Sequence, residues 1–74
     1  MKYNYSKLKG KIAEVFGTQE RFAQAIGISP AALSARLNNI TGFTQDEIAR
    51  SCATLGIPAT QISLYFFTHK VQEI

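Results

Sequence analysis

Helix-start signals and glycines divide this chain into short stretches with helical spacing. Glycines occur at positions 10, 17, 27, 42 and 56. Between them, apolar residues recur three or four positions apart, which is the spacing of one buried helix face. The pattern predicts an all-α fold, a compact bundle of about five short helices.

The first two predicted helices lie on either side of Gly17. The first runs from about Asn4 to Phe16, and its expected buried face contains Leu8, Ile12, Val15 and Phe16. The second runs from Thr18 to about Ile26, and the Thr18 hydroxyl can accept a hydrogen bond from an otherwise unpaired backbone N–H. Its expected buried stripe contains Phe22, Ala23 and Ile26.

The later helices also have clear boundaries. The third begins at Ser29-Pro30, a strong start signal, and ends at Asn38-Asn39. The fourth begins with a capping box between Thr44 and Glu47, and its Cys52 is expected to be a small core residue. A last short helix follows Pro58, after which residues 67–74 form either a short strand or an extended tail.

Size and composition limit the class of protein. The 74 residues form one domain, and a chain with 46% hydrophobic and 18% charged residues is typical of globular proteins. One histidine, one cysteine and no suitably placed acid–base pair argue against an enzyme, a metal site or a cofactor. No apolar run approaches the roughly 20 residues that cross a bilayer, and the first residues lack the apolar centre of a signal peptide. We expect a protein of the bacterial cytoplasm without membrane contact.

Basic residues are concentrated at the start of the chain. Lys2, Lys7, Lys9 and Lys11 precede the first acid, Glu14, in a chain of net charge +3. Such a cluster either lies against phosphates or forms a solvated helix face. Lys7 and Lys11 are candidate phosphate contacts on this basis.

The segment that carries a function is residues 18–39, TQERFAQAIGISPAALSARLNN. It contains a capped helix, a tight turn at residues 27–29 and a second capped helix, which are the parts of a helix-turn-helix. Ala23 is small enough to let the two helices cross closely, and Gly27 can adopt the positive φ of a sharp turn. Leu33 and Leu37 would anchor the second helix from behind, leaving its other face free.

This segment resembles the helix-turn-helix of lambdoid phage repressors, Cro proteins and related XRE-like bacterial regulators. Their pattern, Gln-Glu-x-x-Ala-x-x-x-Gly-(apolar)-Ser, matches QERFAQAIGIS at residues 19–29. The ending YFFTHKVQ also resembles small proteins of Gram-positive phage regulatory modules.

The resemblance implies a role for each matched position. Gln19 would contact a phosphate, Ser29 and Pro30 would start the helix that enters the major groove, and Asn38 and Asn39 would contact backbone phosphates. Arg21 either binds DNA or pairs with a neighbouring acid. The groove-facing positions carry small residues: Ala31, Ala32, Ser34 and Ala35.

The resemblance therefore implies a sequence-specific DNA-binding transcriptional regulator. It would bind double-stranded operator DNA as a homodimer. However, alanines cannot make the bidentate bonds that read bases, and Arg36 points to a flank or a partner helix. Either DNA shape supplies the specificity or DNA binding is weak.

A second hypothesis is an antirepressor or modulator that uses the same fold to bind a partner repressor protein. The alanine-rich third helix and an aromatic tail motivate it. Tyr65, Phe66 and Phe67 cannot all point inward, so at least one is expected at a partner interface.

Overall fold

The computed structural model describes residues 2–71 and confirms the all-α fold. Its five α-helices in order are α1 (Ser6–Phe16), α2 (Gln19–Ile26), α3 (Pro30–Leu37), α4 (Gln45–Leu55) and α5 (Ile62–Phe66). A 3₁₀ turn at Ala59–Gln61 leads into α5. Within the described residues, no helix has the length and apolarity needed to cross a membrane.

The predicted helix starts are confirmed by their hydrogen bonds. The Thr18 hydroxyl accepts from the backbone N–H of Arg21 at 3.2 Å. The Ser29 hydroxyl accepts from the backbone N–H of Ala32 at 3.1 Å. At α4, Thr44 and Glu47 form the complete capping box. The helix starts are thus determined locally by the sequence.

The core lies where α1, α2, α4 and α5 meet behind the α2–α3 corner. Phe22, Leu8 and Leu33 are fully buried, and Phe66 is nearly so. Cys52 packs against this core while staying partly buried, and burial raises the pKa of its thiol.

The prediction for α1 is wrong at one position. Val15 is 45% exposed, whereas Leu8 and Ile12 are buried. Buried Tyr5, just before α1, continues the buried line of Leu8 and Ile12. At 3.6 residues per turn this line reaches Phe16, whose ring lies 5.6 Å from that of Phe22. Val15 therefore falls at the edge of the buried face.

The two ends of the described chain lie side by side. Tyr3 and His69 form an isolated antiparallel bridge, and the backbone N–H of Asn4 donates to the Thr68 carbonyl at 2.6 Å. Of the short strand predicted as one alternative for residues 67–74, the described part contains only this single bridge. Residues 72–74 lie outside the described part. One pair of short extended segments is too little for a sheet.

Candidate functional site

The corner between α2 and α3 has the geometry that the sequence predicts. Gly27 ends α2 in the left-handed conformation, with φ of +77°. The backbone N–H of Ile28 then donates to the Ala23 carbonyl at 3.0 Å. Ala23 is completely buried, so its methyl group leaves space for the close helix crossing. This corner orients α3 so that one side faces the core and the other faces solvent.

The outer side of α3 is open. Leu33 and Leu37 are buried against the core. Ala31 and Ser34 are exposed on the opposite side, and Ala32 and Ala35 are partly buried. Ser29 and Pro30, at the start of the helix, are also exposed. The small side chains therefore form a smooth, accessible helix face.

Arg36 does not contribute its charge to this face. Its Nε donates to Glu47 Oε1 at 2.6 Å and its Nη2 to Glu47 Oε2 at 2.9 Å, a bidentate pair with α4. Its Nη1 also donates to the Ala32 carbonyl at 3.1 Å. The guanidinium thus fastens α3 to α4, in agreement with its predicted orientation towards a partner helix.

The carboxylate of Glu47 is adapted to this pairing. Its side chain has a relative accessibility of 7%, compared with 17% for Arg36. The hydrogen bonds from Arg36 lower the pKa of Glu47, although burial alone would raise it. A further hydrogen bond from the backbone N–H of Thr44, at 3.0 Å, also favours the charged form.

A groove lies beside the corner, between the first turn of α2 and the start of α3. It has a volume of 530 Å³ and is lined by Thr18, Glu20, Arg21, Gln24, Ile28 and Pro30. Glu20 and Arg21 place opposite charges at the same groove, and Gln19 is exposed nearby. Residues 18–39 contain two arginines and one glutamate, and since Glu47 neutralises Arg36, the outer surface of the motif carries no net charge.

The two asparagines after α3 differ in their contacts. Asn38 is exposed, and its Nδ2 donates to the Ser34 hydroxyl at 3.2 Å. Asn39 instead binds the backbone of Tyr3: its Oδ1 accepts from the N–H at 2.8 Å and its Nδ2 donates to the carbonyl at 3.0 Å. Asn39 therefore has a structural role, because both polar atoms of its side-chain amide bind the chain end, and its phosphate contact stays a prediction.

The predicted lysine contacts lie on α1 and have neighbours of their own. The Nζ of Lys7 lies 5.4 Å from the centroid of the Tyr65 ring, which places Lys7 beside α5. The Nζ of Lys11 lies 3.9 Å from a carboxylate oxygen of Glu14. Their phosphate contacts stay a prediction.

Only one of the three tail aromatics is accessible. Tyr65 and Phe66 are buried at 8% and 1% relative exposure, so in this structure they contribute to the core. Phe67 is 44% exposed and packs edge-on against Tyr3, with 5.8 Å between ring centroids. The predicted partner interface is therefore narrowed to Phe67. The sequence patterns did not indicate Tyr3, because only the paired chain ends bring it beside Phe67.

Among residues 2–71 no group of three His, Cys, Asp or Glu side chains is placed to hold a metal ion. The accessible surface at the α2–α3 corner is made mainly of small, apolar and amide side chains. A second accessible area, around Phe67, lies at the paired chain ends.

Comparisons with known proteins connect these features to phage regulation. The family described as "Protein of unknown function (DUF739)" matches residues 1–69. The chain is also similar to the modulator of repression (MOR) of the temperate bacteriophage TP901-1 from Lactococcus lactis. That solution structure matches with a TM-score of 0.79 and 42% sequence identity, and the match covers 97% of both chains. A comparison with curated proteins found no match. The expected resemblance is thus confirmed at the level of phage regulatory proteins, while a specific likeness to Cro or repressor is not.

Proposed function

This chain belongs to the DUF739 family, and we propose that it is a phage regulatory protein that modulates repression by binding a repressor protein. It acts by binding rather than by catalysis, in the cytoplasm of a bacterial host. The observation that carries this proposal is the 42% identity to a phage modulator of repression over 97% of each chain. Of the two sequence-based hypotheses, the modulator is therefore the better supported.

The charge of the corner agrees with a protein partner. DNA affinity depends strongly on the number of phosphates that Lys and Arg neutralise. Here Arg36 is paired with Glu47, and Arg21 shares its groove with Glu20. A phosphate that approaches this groove meets a carboxylate as well as a guanidinium, which lowers the electrostatic gain.

The shape of α3 also suits a protein surface. Ala31 and Ser34 are exposed and short, so another helix can approach the α3 backbone closely. Hydrogen bonds from Gln19 and Asn38 can then fix the orientation of the partner at the margins of the contact. In our proposal, the complex changes how the repressor occupies its operator.

Direct operator binding is a second candidate function. The exposure of α3 beyond the tight corner is the observation that favours it, because a recognition helix needs this accessibility. In this candidate a homodimer would place two α3 helices in successive major grooves. The predicted affinity is low because alanines read few base edges.

A binding experiment with the repressor encoded next to this chain's gene distinguishes the two candidates. The purified chain, the purified repressor and a labelled operator fragment are combined pairwise and all together, and the mixtures are analysed by native gel shift and size exclusion. We expect a chain–repressor complex and a changed operator shift. If the chain forms no complex with the repressor, with or without DNA, the modulator function is wrong. A shift of operator by the chain alone would support the second candidate.

A further inference from the structure

A second accessible surface lies at the paired chain ends, on the apolar edge of α5. Leu64 is 48% exposed and Phe67 is 44% exposed. They are three positions apart, so they share one side of the last helical turn. Tyr3 continues this apolar area, because its ring packs against Phe67. We call these three residues, together with Lys2 and Lys70, the terminal surface.

The terminal surface is held in place by hydrogen bonds. Asn39 binds both backbone groups of Tyr3, at 2.8 and 3.0 Å. On the other side, the Thr68 hydroxyl donates to the Leu64 carbonyl at 2.8 Å. Because its backbone is already ordered, a partner that binds here loses little free energy in ordering this part of the chain.

The margin of this surface is positively charged. The backbone N–H of Lys70 donates to the Lys2 carbonyl at 3.3 Å, so the backbones of two exposed lysines are adjacent, one residue from the Tyr3–His69 bridge. The Nζ of Lys7 lies over the ring of Tyr65, and Tyr65 is the residue after Leu64. The described residues 2–13 and 48–71 contain no aspartate or glutamate. An apolar centre with a cationic margin is therefore presented to solvent.

We propose that the terminal surface binds an apolar protein segment flanked by acidic residues on the partner repressor. Exposed aromatic and aliphatic side chains with a polar margin are typical of protein interfaces. The lysines favour acidic residues opposite them, and they disfavour a second copy of this chain, because a two-fold contact would bring the same lysines together. Nucleic acid would be attracted by the lysines alone and would not use Leu64 and Phe67.

This proposal rests on the proposed function and identifies an interaction surface that is separate from the outer side of α3. The two surfaces lie on different elements, since Leu64 and Phe67 are at α5 whereas Ala31 and Ser34 are on α3. Substitutions on one surface can therefore be made without altering the other.

The test measures the Kd between the full chain and the purified neighbouring repressor by calorimetry. The apolar variants are Leu64→Ser, Phe67→Ser and their combination, and the charge variant is Lys2→Glu with Lys70→Glu. Val15→Ser is the matched control, because Val15 is a 45% exposed aliphatic residue on α1 outside the terminal surface. Circular dichroism and thermal unfolding verify that each variant folds. If removing the Phe67 ring disturbs Tyr3, Leu64→Ser still tests the surface because it leaves that ring in place.

We expect the apolar double variant to bind at least about tenfold more weakly, as for loss of a central interface contact. The charge variant should also bind more weakly, and its Kd should depend less on NaCl concentration than that of the wild type. Val15→Ser should bind like the wild type.

Four other results would overturn the proposal, and each shows which part of it is wrong. If the wild type does not bind the repressor, the proposed function fails and this inference fails with it. If the wild type binds and the apolar variants bind equally well, only the terminal surface is wrong. Weaker binding by the charge variant alone, with DNA competing, would indicate a phosphate-binding surface. A wild-type dimer in sedimentation that Leu64→Ser converts to monomer would assign the surface to a second copy.

Discussion

Substituting Glu47 by alanine tests how far the Arg36–Glu47 pair determines the position of α3. The change leaves the Arg36 side chain, which is 17% accessible in the intact pair, without its carboxylate partner, and it removes half of the capping box at the start of α4. Removing one partner of a buried ion pair costs about 3–5 kcal/mol. The partial exposure of Arg36 and its remaining bond to the Ala32 carbonyl place this case near the lower limit, at about 3 kcal/mol.

This loss is large for a chain of 74 residues. At roughly 0.05–0.15 kcal/mol per residue, the whole domain is stable by only about 4–11 kcal/mol. A loss of about 3 kcal/mol corresponds to a decrease in Tm of roughly 12–24 °C for a domain of this size. Glu47→Ala is therefore expected to be among the most destabilising single substitutions outside the apolar core.

The assay is urea unfolding followed by circular dichroism at pH 7. Glu14→Ala is the matched control, because its carboxylate forms only an exposed contact with Lys11 at 3.9 Å, and such pairs contribute about 0–1 kcal/mol. The double variant Arg36→Met with Glu47→Leu leaves no unpaired charge and should recover much of the loss. Equal stability of Glu47→Ala and Glu14→Ala, or a double variant as unstable as Glu47→Ala, would contradict this role of the ion pair.

The hydrogen bonds from Arg36 lower the pKa of Glu47 in the folded state, so the contribution of Glu47 to the free energy of unfolding is complete above its usual pKa of 4.5 and is lost as the pH falls through the lowered folded pKa. Urea unfolding of the wild type between pH 7 and 3 should show this loss. An equally steep loss in Glu47→Gln would contradict the prediction. Gly27→Ala should destabilise the fold by about 1–2 kcal/mol because Gly27 has a φ of +77°. Gly10→Ala, inside α1 with open space around it, should instead stabilise the fold by about 0.5–1 kcal/mol. Equal urea midpoints for the two variants would contradict this difference between the two glycines. Asn39→Ala should release Tyr3, so the Tyr3 amide should exchange with deuterium much faster while the core amides of α2 keep their exchange rates. Unchanged protection of the Tyr3 amide would show that the two Asn39 hydrogen bonds do not order the chain end.

The helix boundaries and the corner could be predicted from the sequence because their causes are local. Thr18, Ser29 and Thr44 each accept from a backbone N–H within three residues, and Gly27 needs only its own conformational freedom. These interactions form whenever the segment is helical, so the spacing of a few residues is sufficient to identify them.

The contacts that define the site are distant in the chain and could not be predicted in this way. Arg36 pairs with a carboxylate 11 residues away, and Asn39 binds a backbone 36 residues away. Both contacts depend on how whole helices are placed relative to one another. The corner motif indicates how α2 packs against α3. It does not indicate what contacts the outer side of α3. DNA-binding and protein-binding proteins can therefore share this motif, and the proposal of a protein partner depends on the similarity to a modulator of repression.

The antiparallel bridge between Tyr3 and His69 brings both ends of the described chain close to Phe67. A bulky group attached at Lys2 or Lys70 would lie close to Phe67 and obstruct binding at the terminal surface. The turn around Gly42 is exposed and has open space, so a short peptide label inserted at that position would leave both chain ends unmodified.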